Sequence, residues 1–118
     1  CIEENGIIYP QANGLAFSVN NKHRIPHSLK NIFKEMKETI DNFEIPNNGD
    51  LSNWVRNEKI LLLNSALTVE HGKSNSHMKL WEPITDNIIK SISDKCQNIV
   101  FILWGNFAKS KKKIYRFR

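Results

Sequence analysis

Cysteine is scarce in this chain. There are two, Cys1 and Cys96, with no metal-type spacing and no set of pairs that could staple a small secreted fold. The expected setting is therefore reducing and intracellular, read as cytoplasmic, or as nuclear or organellar in a eukaryote. Cys96 is expected to be buried or half-buried. Long apolar runs are also missing. None approaches the roughly 20 residues that cross a bilayer, so no membrane partner is expected. The opening Cys1-Ile2-Glu3-Glu4-Asn5 is acidic and too poor in apolar residues for a signal peptide. It has no initiator methionine, so the chain reads as a fragment or a processed product. His71 and His77 lack the third and fourth ligands that a zinc site needs, and no metal is expected.

What is present is an ordinary globular composition in 118 residues, with 40% hydrophobic and 25% charged side chains. That length predicts one small domain over residues 1–118. The net charge of +5 is unevenly placed. Six of the last ten residues are basic: Lys109, Lys111, Lys112, Lys113, Arg116 and Arg118. The first 108 residues carry 11 basic and 12 acidic side chains. The positive field thus sits in a basic tail, residues 109–118. Such a run either attracts phosphates at long range or is simply solvated.

Hydrophobic spacing predicts the elements. Leu29, Ile32, Phe33, Met36 and Ile40 form a helical stripe over Ser28–Ile40, with Ser28 as N-cap. Asp50 is read as the cap of a short helix over Leu51–Asn57. Ile84, Ile88, Ile89 and Ile92 share a face of a second amphipathic helix over Thr85–Ser93, with Pro83 near its start. Residues 59–64 and Asn98–Trp104 read as buried strands. Gly105 ends the second one, and Asn106–Lys112 opens another helix. Strands separated by helical crossovers imply α/β architecture with a parallel sheet.

The first of these strands delivers Asn64 at its carboxyl end, the edge where open parallel sheets bind ligands. A side-chain amide there presents an acceptor and two donors in one plane, which suits the polar edge of a flat heterocycle. Taken alone, Asn64 reads more readily as an exposed loop residue after a core strand, by about three to one.

Five segments in order resemble family 1 uracil-DNA glycosylases: Gln11-Ala12-Asn13-Gly14-Leu15-Ala16-Phe17-Ser18-Val19, Pro26-His27-Ser28-Leu29-Lys30-Asn31-Ile32, Gly49-Asp50-Leu51-Ser52-Asn53-Trp54, Leu61 to Val69 with Asn75-Ser76-His77, and Val100-Phe101-Ile102-Leu103-Trp104-Gly105-Asn106-Phe107-Ala108. The resemblance runs from about Gln11 to Lys113. It implies a three-layer sandwich around a short parallel sheet, incomplete at both ends. It implies base-excision repair on uracil-containing DNA, single- or double-stranded, by hydrolysis of the N-glycosidic bond without a cofactor. The flipped base needs an aromatic face and an edge-reader. By resemblance Phe17 is the stacking ring and Asn64 reads the uracil edge, discriminating a carbonyl from the amino group of cytosine. Ser28 and Asn106 fall where the family contacts DNA phosphate, Ser28 at a helix N-terminus that favours anions. His77 falls in the segment that supports the pocket loop.

The sequence departs from the family at both ends. The family's first motif, Gly-Gln-Asp-Pro-Tyr-His, aligns with Ile2-Glu3-Glu4-Asn5-Gly6-Ile7. An ungapped count puts Glu4 at the catalytic aspartate, and Gly6 at the tyrosine that excludes thymine. Tyr9 lies three positions further on. A displaced reacting group costs on the order of 100-fold in rate per ångström. The family's His-Pro-Ser-Pro-Leu-Ser segment has no counterpart before Arg118, and losing one oxyanion donor costs about 100- to 1,000-fold. Met78-Lys79-Leu80-Trp81 is one glycine shorter than the family pattern. The family sheet has four strands; two are clear here, and Gly6-Ile7-Ile8-Tyr9 is a poor third. Unpaired edges predict marginal stability or self-association through the sheet edges. The expected activity is therefore reduced or lost. The alternatives are a DNA-binding relic acting through Lys109–Arg118 and a truncated or frame-shifted gene product.

Overall fold

The computed structural model describes residues 2–115. It contains β1 (Ile2–Glu4), β2 (Ile7–Tyr9), α1 (His27–Thr39), α2 (Ser52–Arg56), α3 (Met78–Lys95), α4 (Gly105–Ser110) and a 3-10 turn over Lys111–Ile114. The chain divides into two compact units, Cys1–Leu63 and Asn64–Arg118.

In the first unit, β1 and β2 pair antiparallel with Glu4 opposite Ile7. The connecting Asn5 and Gly6 have φ of 52° and 75°. Two successive positive φ angles make the two-residue turn whose twist suits a hairpin. Gly6–Tyr9 is therefore half of a hairpin and not a third parallel strand. The Asn-Gly pair is the sequence signal for this turn.

The amphipathic stripe of α1 packs as its spacing predicts. Leu29 and Phe33 are buried, and with Leu51 they form the core. Phe43 and Trp54 close on the Phe33 ring, with Trp54 edge-on at 6.5 Å between centroids. Burying side chains of this size contributes roughly 1.5–3 kcal/mol each. The N-cap of α1 is Pro26, not Ser28. Proline's extended backbone ends the loop two residues earlier, and Ser28 becomes the second helical residue. The carboxylate of Asp50 accepts the Ser52 N–H at 2.9 Å, one position outside the Leu51 cap of α2.

The second unit is built on α3, which starts seven residues before the predicted Thr85. Pro83 lies inside the helix. It is tolerated near the N-terminus because the carbonyl it leaves unpaired belongs to exposed Lys79. The buried face of α3 is polar, with Thr85 and Ser93 as its buried residues. The predicted isoleucine face is instead half exposed at Ile84 and Ile88. What packs against the helix explains this. The 3-10 turn brings Lys111, which needs carboxylates, and the segment after Asn64 brings carbonyls, which need donors. Cys96 is exposed, contrary to expectation, because it caps the C-terminus of α3 on an extended backbone.

The predicted parallel strands are extended but form no ladder. Among the described residues the only sheet is β1–β2. A strand exists through a partner's hydrogen bonds, and residues 60–63 use theirs singly. Ile60 N–H donates to Trp54 O and Leu62 O accepts from Ala16 N–H, both at 2.9 Å. Val100 and Ile102 are 84% and 73% exposed. Phe101 turns the other way and packs edge-on against Tyr115 at 4.5 Å. No helix among the described residues is long and apolar enough to cross a membrane.

Candidate functional site

The loop carrying Phe17 is tied down on both sides of the ring. Ala16, Ser18 and Val19 are buried, whereas Phe17 is 36% exposed. Each buried neighbour is tied. Ala16 N–H donates to Leu62 O, and Val19 N–H to Gly49 O, both at 2.9 Å. The Ser18 hydroxyl accepts the Leu51 N–H at 2.9 Å and donates to Gly49 O at 3.4 Å. Between these anchors Phe17 takes φ of 64°. A left-handed backbone at a bulky L-residue costs about 1–2 kcal/mol. Strain of this kind persists where surrounding contacts over-determine it, and it concentrates at functional sites. The loop therefore holds an aromatic ring outward at a definite orientation. Sequence reasoning identified Phe17 but missed Ser18 and Gly49. A β-carbon on Gly49 would stand 2.7 Å from Val19 Cγ2, so glycine is required there by close approach.

Ser28 is exposed in the first turn of α1, a 13-residue helix with no side-chain cap. Its hydroxyl stands beside the unpaired N–H groups of that end. Glu4 ends β1 in the open, its carboxylate taking a bond from Lys22 Nζ at 2.9 Å. That bond, with the added field of Glu4 and Tyr9, raises the pKa of Lys22. Lys22 also lies over the Tyr9 ring at 5.4 Å. Glu4 is thus engaged in a solvent-exposed ion pair on the hairpin.

In the second unit Asn64 is exposed. Its side-chain amide has no hydrogen-bond partner among the described residues. The chain following it is held on α3 at two points. Thr85 Oγ1 donates to Ser65 O at 2.9 Å, and Trp81 Nε1 donates to Thr68 Oγ1 at 2.7 Å. The Thr68 hydroxyl meets His77 Nδ1 at 2.9 Å. His77 also caps α3, with its carbonyl accepting from Leu80 and Trp81 N–H. The loop between closes on itself through Glu70 N–H to Ser76 Oγ at 2.8 Å and an isolated Glu70–Lys73 bridge. His77 thus joins the start of α3 to Thr68 in the segment that follows Asn64. Thr68, Trp81 and Thr85 were not foreseen, because an aromatic and two threonines inside an apolar pattern carry no distinguishing signal.

Asn106 is exposed in the first turn of α4, just after Gly105 at φ 86°. The basic segment beyond it is not a loose tail over its described part. Lys111 is buried and ion-paired with Glu82 and with Asp86 at 2.8 Å. Burial pulls the Lys111 pKa down, but the bonds from Asp86 and Glu82 outweigh it, so the net shift is upward. Lys109, Lys112 and Lys113 are exposed. Arg116 and Arg118 lie outside the described residues, as does Cys1. Among the described residues no group of three His, Cys, Asp or Glu could hold a metal ion.

The chain has many relatives of known name. It is 52% identical over 105 residues to a uracil-DNA glycosylase of Borrelia turicatae, covering 88% of this chain and 46% of that protein. It is 50% identical over 105 residues to the uracil-DNA glycosylase of Francisella tularensis subsp. novicida, covering 88% and 47%. The crystal structure of mimivirus uracil-DNA glycosylase superposes with a TM-score of 0.81 at 28% identity, covering 91% of this chain and 38% of that one. A second mimivirus structure, of a variant of the enzyme in complex with UGI, matches with the same TM-score and 39% coverage. No family model matches. The chain spans about half the length of the curated relatives it matches. In sequence and in its mixed helix-and-strand fold, the chain is similar to uracil-DNA glycosylases over roughly half of their length.

Proposed function

We propose that this chain is a uracil-recognising portion of a uracil-DNA glycosylase, acting on uracil-containing DNA, single- or double-stranded. The observation that carries the reading is the Phe17 loop. It presents a partly exposed ring at a strained φ of 64° between anchored, buried neighbours. Phe17 supplies a face for base stacking, and Asn64 separately supplies an amide for the uracil edge. Ser28 contacts phosphate through the first turn of α1, Asn106 contacts phosphate as the family resemblance implies, and His77 braces the loop after Asn64. Residues 1–118 form one domain in this reading, supported by a single 105-residue match across both units. In this reading residues 59–64 and 98–104, which lie extended without a ladder among the described residues, serve as the apolar strands of a three-layer sandwich, with exposed edges open to self-association. Its setting is cytoplasmic, or nuclear or organellar in a eukaryote.

Glu4 is the weakest member of the set, being engaged by Lys22 on the exposed hairpin. Catalysis is accordingly slow, with base binding better preserved than bond breaking. A single-turnover assay decides it: abasic-site formation on single-stranded uracil DNA, with protein in excess. Slow cleavage that Phe17→Ala abolishes is the expected result. No abasic product at any protein concentration overturns the enzymatic reading.

The exposed Lys109, Lys112 and Lys113 favour a second reading, non-catalytic binding to DNA through phosphate. That reading predicts affinity that falls steeply with salt and ignores uracil. Affinity unchanged after deletion of residues 109–118 removes it.

A further inference from the structure

We propose that Thr85 is the positioning residue for Asn64, an inference that rests on the reading of Asn64 as the uracil reader. Thr85 is 1% exposed, in the middle of α3. Its one hydroxyl proton has three carbonyls in reach: Ser65 O at 2.9 Å, Trp81 O at 3.1 Å and Glu82 O at 3.3 Å. A mid-helix threonine ordinarily bonds back to its own preceding turn. Here the shortest bond goes instead to Ser65, twenty residues earlier and next to Asn64. That carbonyl belongs to an irregular segment, where a buried polar group needs a partner from outside.

Trp81 and Thr85 are four residues apart, hence on one face of α3. They hold Thr68 and Ser65 respectively. The segment after Asn64 therefore runs antiparallel to α3, fastened one helical turn apart. The Trp81–Thr68 bond is solvent-exposed, while the Thr85–Ser65 bond is part-buried and adjacent to the reader. An edge-reader discriminates better when the backbone that carries it is pre-set, because less ordering is left to complete when the base arrives. Thr85 supplies that fixity to the backbone carrying Asn64, while Asn64 itself faces solvent unengaged.

The test uses the full chain labelled for NMR, with Thr85→Val, which keeps the shape and removes the hydroxyl, and Thr85→Ser, which keeps the hydroxyl. Thr85→Val is expected to move the Asn64 side-chain amide signals and to lower the backbone order parameters at Ala66 and Leu67, with hydrogen exchange across Asn87–Ser91 unchanged. Thr85→Ser is expected to match the parent. Asn64, Ala66 and Leu67 signals unchanged in Thr85→Val overturn the proposal. If that variant loses protection along all of α3, Trp81→Phe carries the test. It should loosen Thr68 and leave Asn64 fixed, and loss of order at Asn64 in Trp81→Phe would place the fastening elsewhere and overturn the proposal. Binding of uracil- and cytosine-containing oligonucleotides separates the two ideas. A parent without uracil preference removes the reader, while the NMR result still decides the positioning.

Discussion

The two units are held together by opposite chemistry. The first closes on apolar rings and chains, Leu29, Phe33 and Leu51, with Trp54 and Phe43 around them. The second closes on a polar helix face. Thr85 and Ser93 are its buried residues on α3, and Lys111 joins Glu82 and Asp86 across to the 3-10 turn. Apolar contacts are non-directional and depend on area. Hydrogen bonds and ion pairs are directional, and each fixes one group at one place. In each unit a candidate base-contacting residue is placed by directional bonds: the Phe17 loop through Ser18, and the Asn64 segment through Thr85. The apolar core makes the first unit stable; polar staples set the candidate loops in both.

The comparison breaks most visibly at Phe33. Phe33→Ala should cost about 3–5 kcal/mol, read as an earlier denaturant midpoint of the first unit by hydrogen exchange. Gly49→Ala tests the close approach behind the Phe17 loop. Its new β-carbon must displace Val19, and the expected loss is about 1–3 kcal/mol, with reduced exchange protection at Val19 and Leu51. In the second unit, Lys111→Met leaves Glu82 and Asp86 partly solvated without their cation. The expected loss is about 1–2 kcal/mol, confined to α3 and the 3-10 turn.

The smallest effect is a difference in pH response. The raised pKa of Lys111 means that its stabilisation is complete below the unfolded value near 10.5 and is lost as pH rises through the folded one. Tyr115 acts in the same direction. Burial, then the charge of Asp86, raises its phenol pKa, so ionisation above about pH 10 opposes its packing on Phe101. In the first unit, the side-chain and backbone bonds from Ser52 hold Asp50 below its ordinary value. Its contribution is present above the unfolded pKa and lost as pH falls through the folded one. Lys22 is raised too, but it is fully exposed and solvent screens its pair with Glu4. Exchange protection should therefore fall first in α3 above pH 10 and first in α2 below about pH 4. The reverse order would show that the polar face of α3 is not what holds the second unit.

Much of this was legible in the chain. The α1 stripe and a helix opening near Asn106 follow from spacing, while the candidates Phe17, Ser28, Asn64, His77 and Asn106 come from family motifs. Three things were not legible, for different reasons. A strand is a pairing property, and residues 59–64 and 98–104 show apolar runs without saying what pairs with them. The start of α3 was hidden by Pro83, which usually marks a helix's first turn. The polar face of α3 was misassigned because periodicity counts apolar residues, and the decisive groups there are Thr85, Glu82 and Asp86. The Asn5-Gly6 turn was readable and was passed over, because the hairpin lies where the family has a different motif.

The central claim is that this chain keeps a uracil reader set in place by its fold. The Asn64 side-chain amide signals, followed while oligonucleotides alike but for one uracil or one cytosine are added, test it most directly. The account predicts saturable shifts with uracil, weaker or absent shifts with cytosine, and loss of the preference in Asn64→Asp. Equal shifts with both oligonucleotides, or none with either, would contradict it.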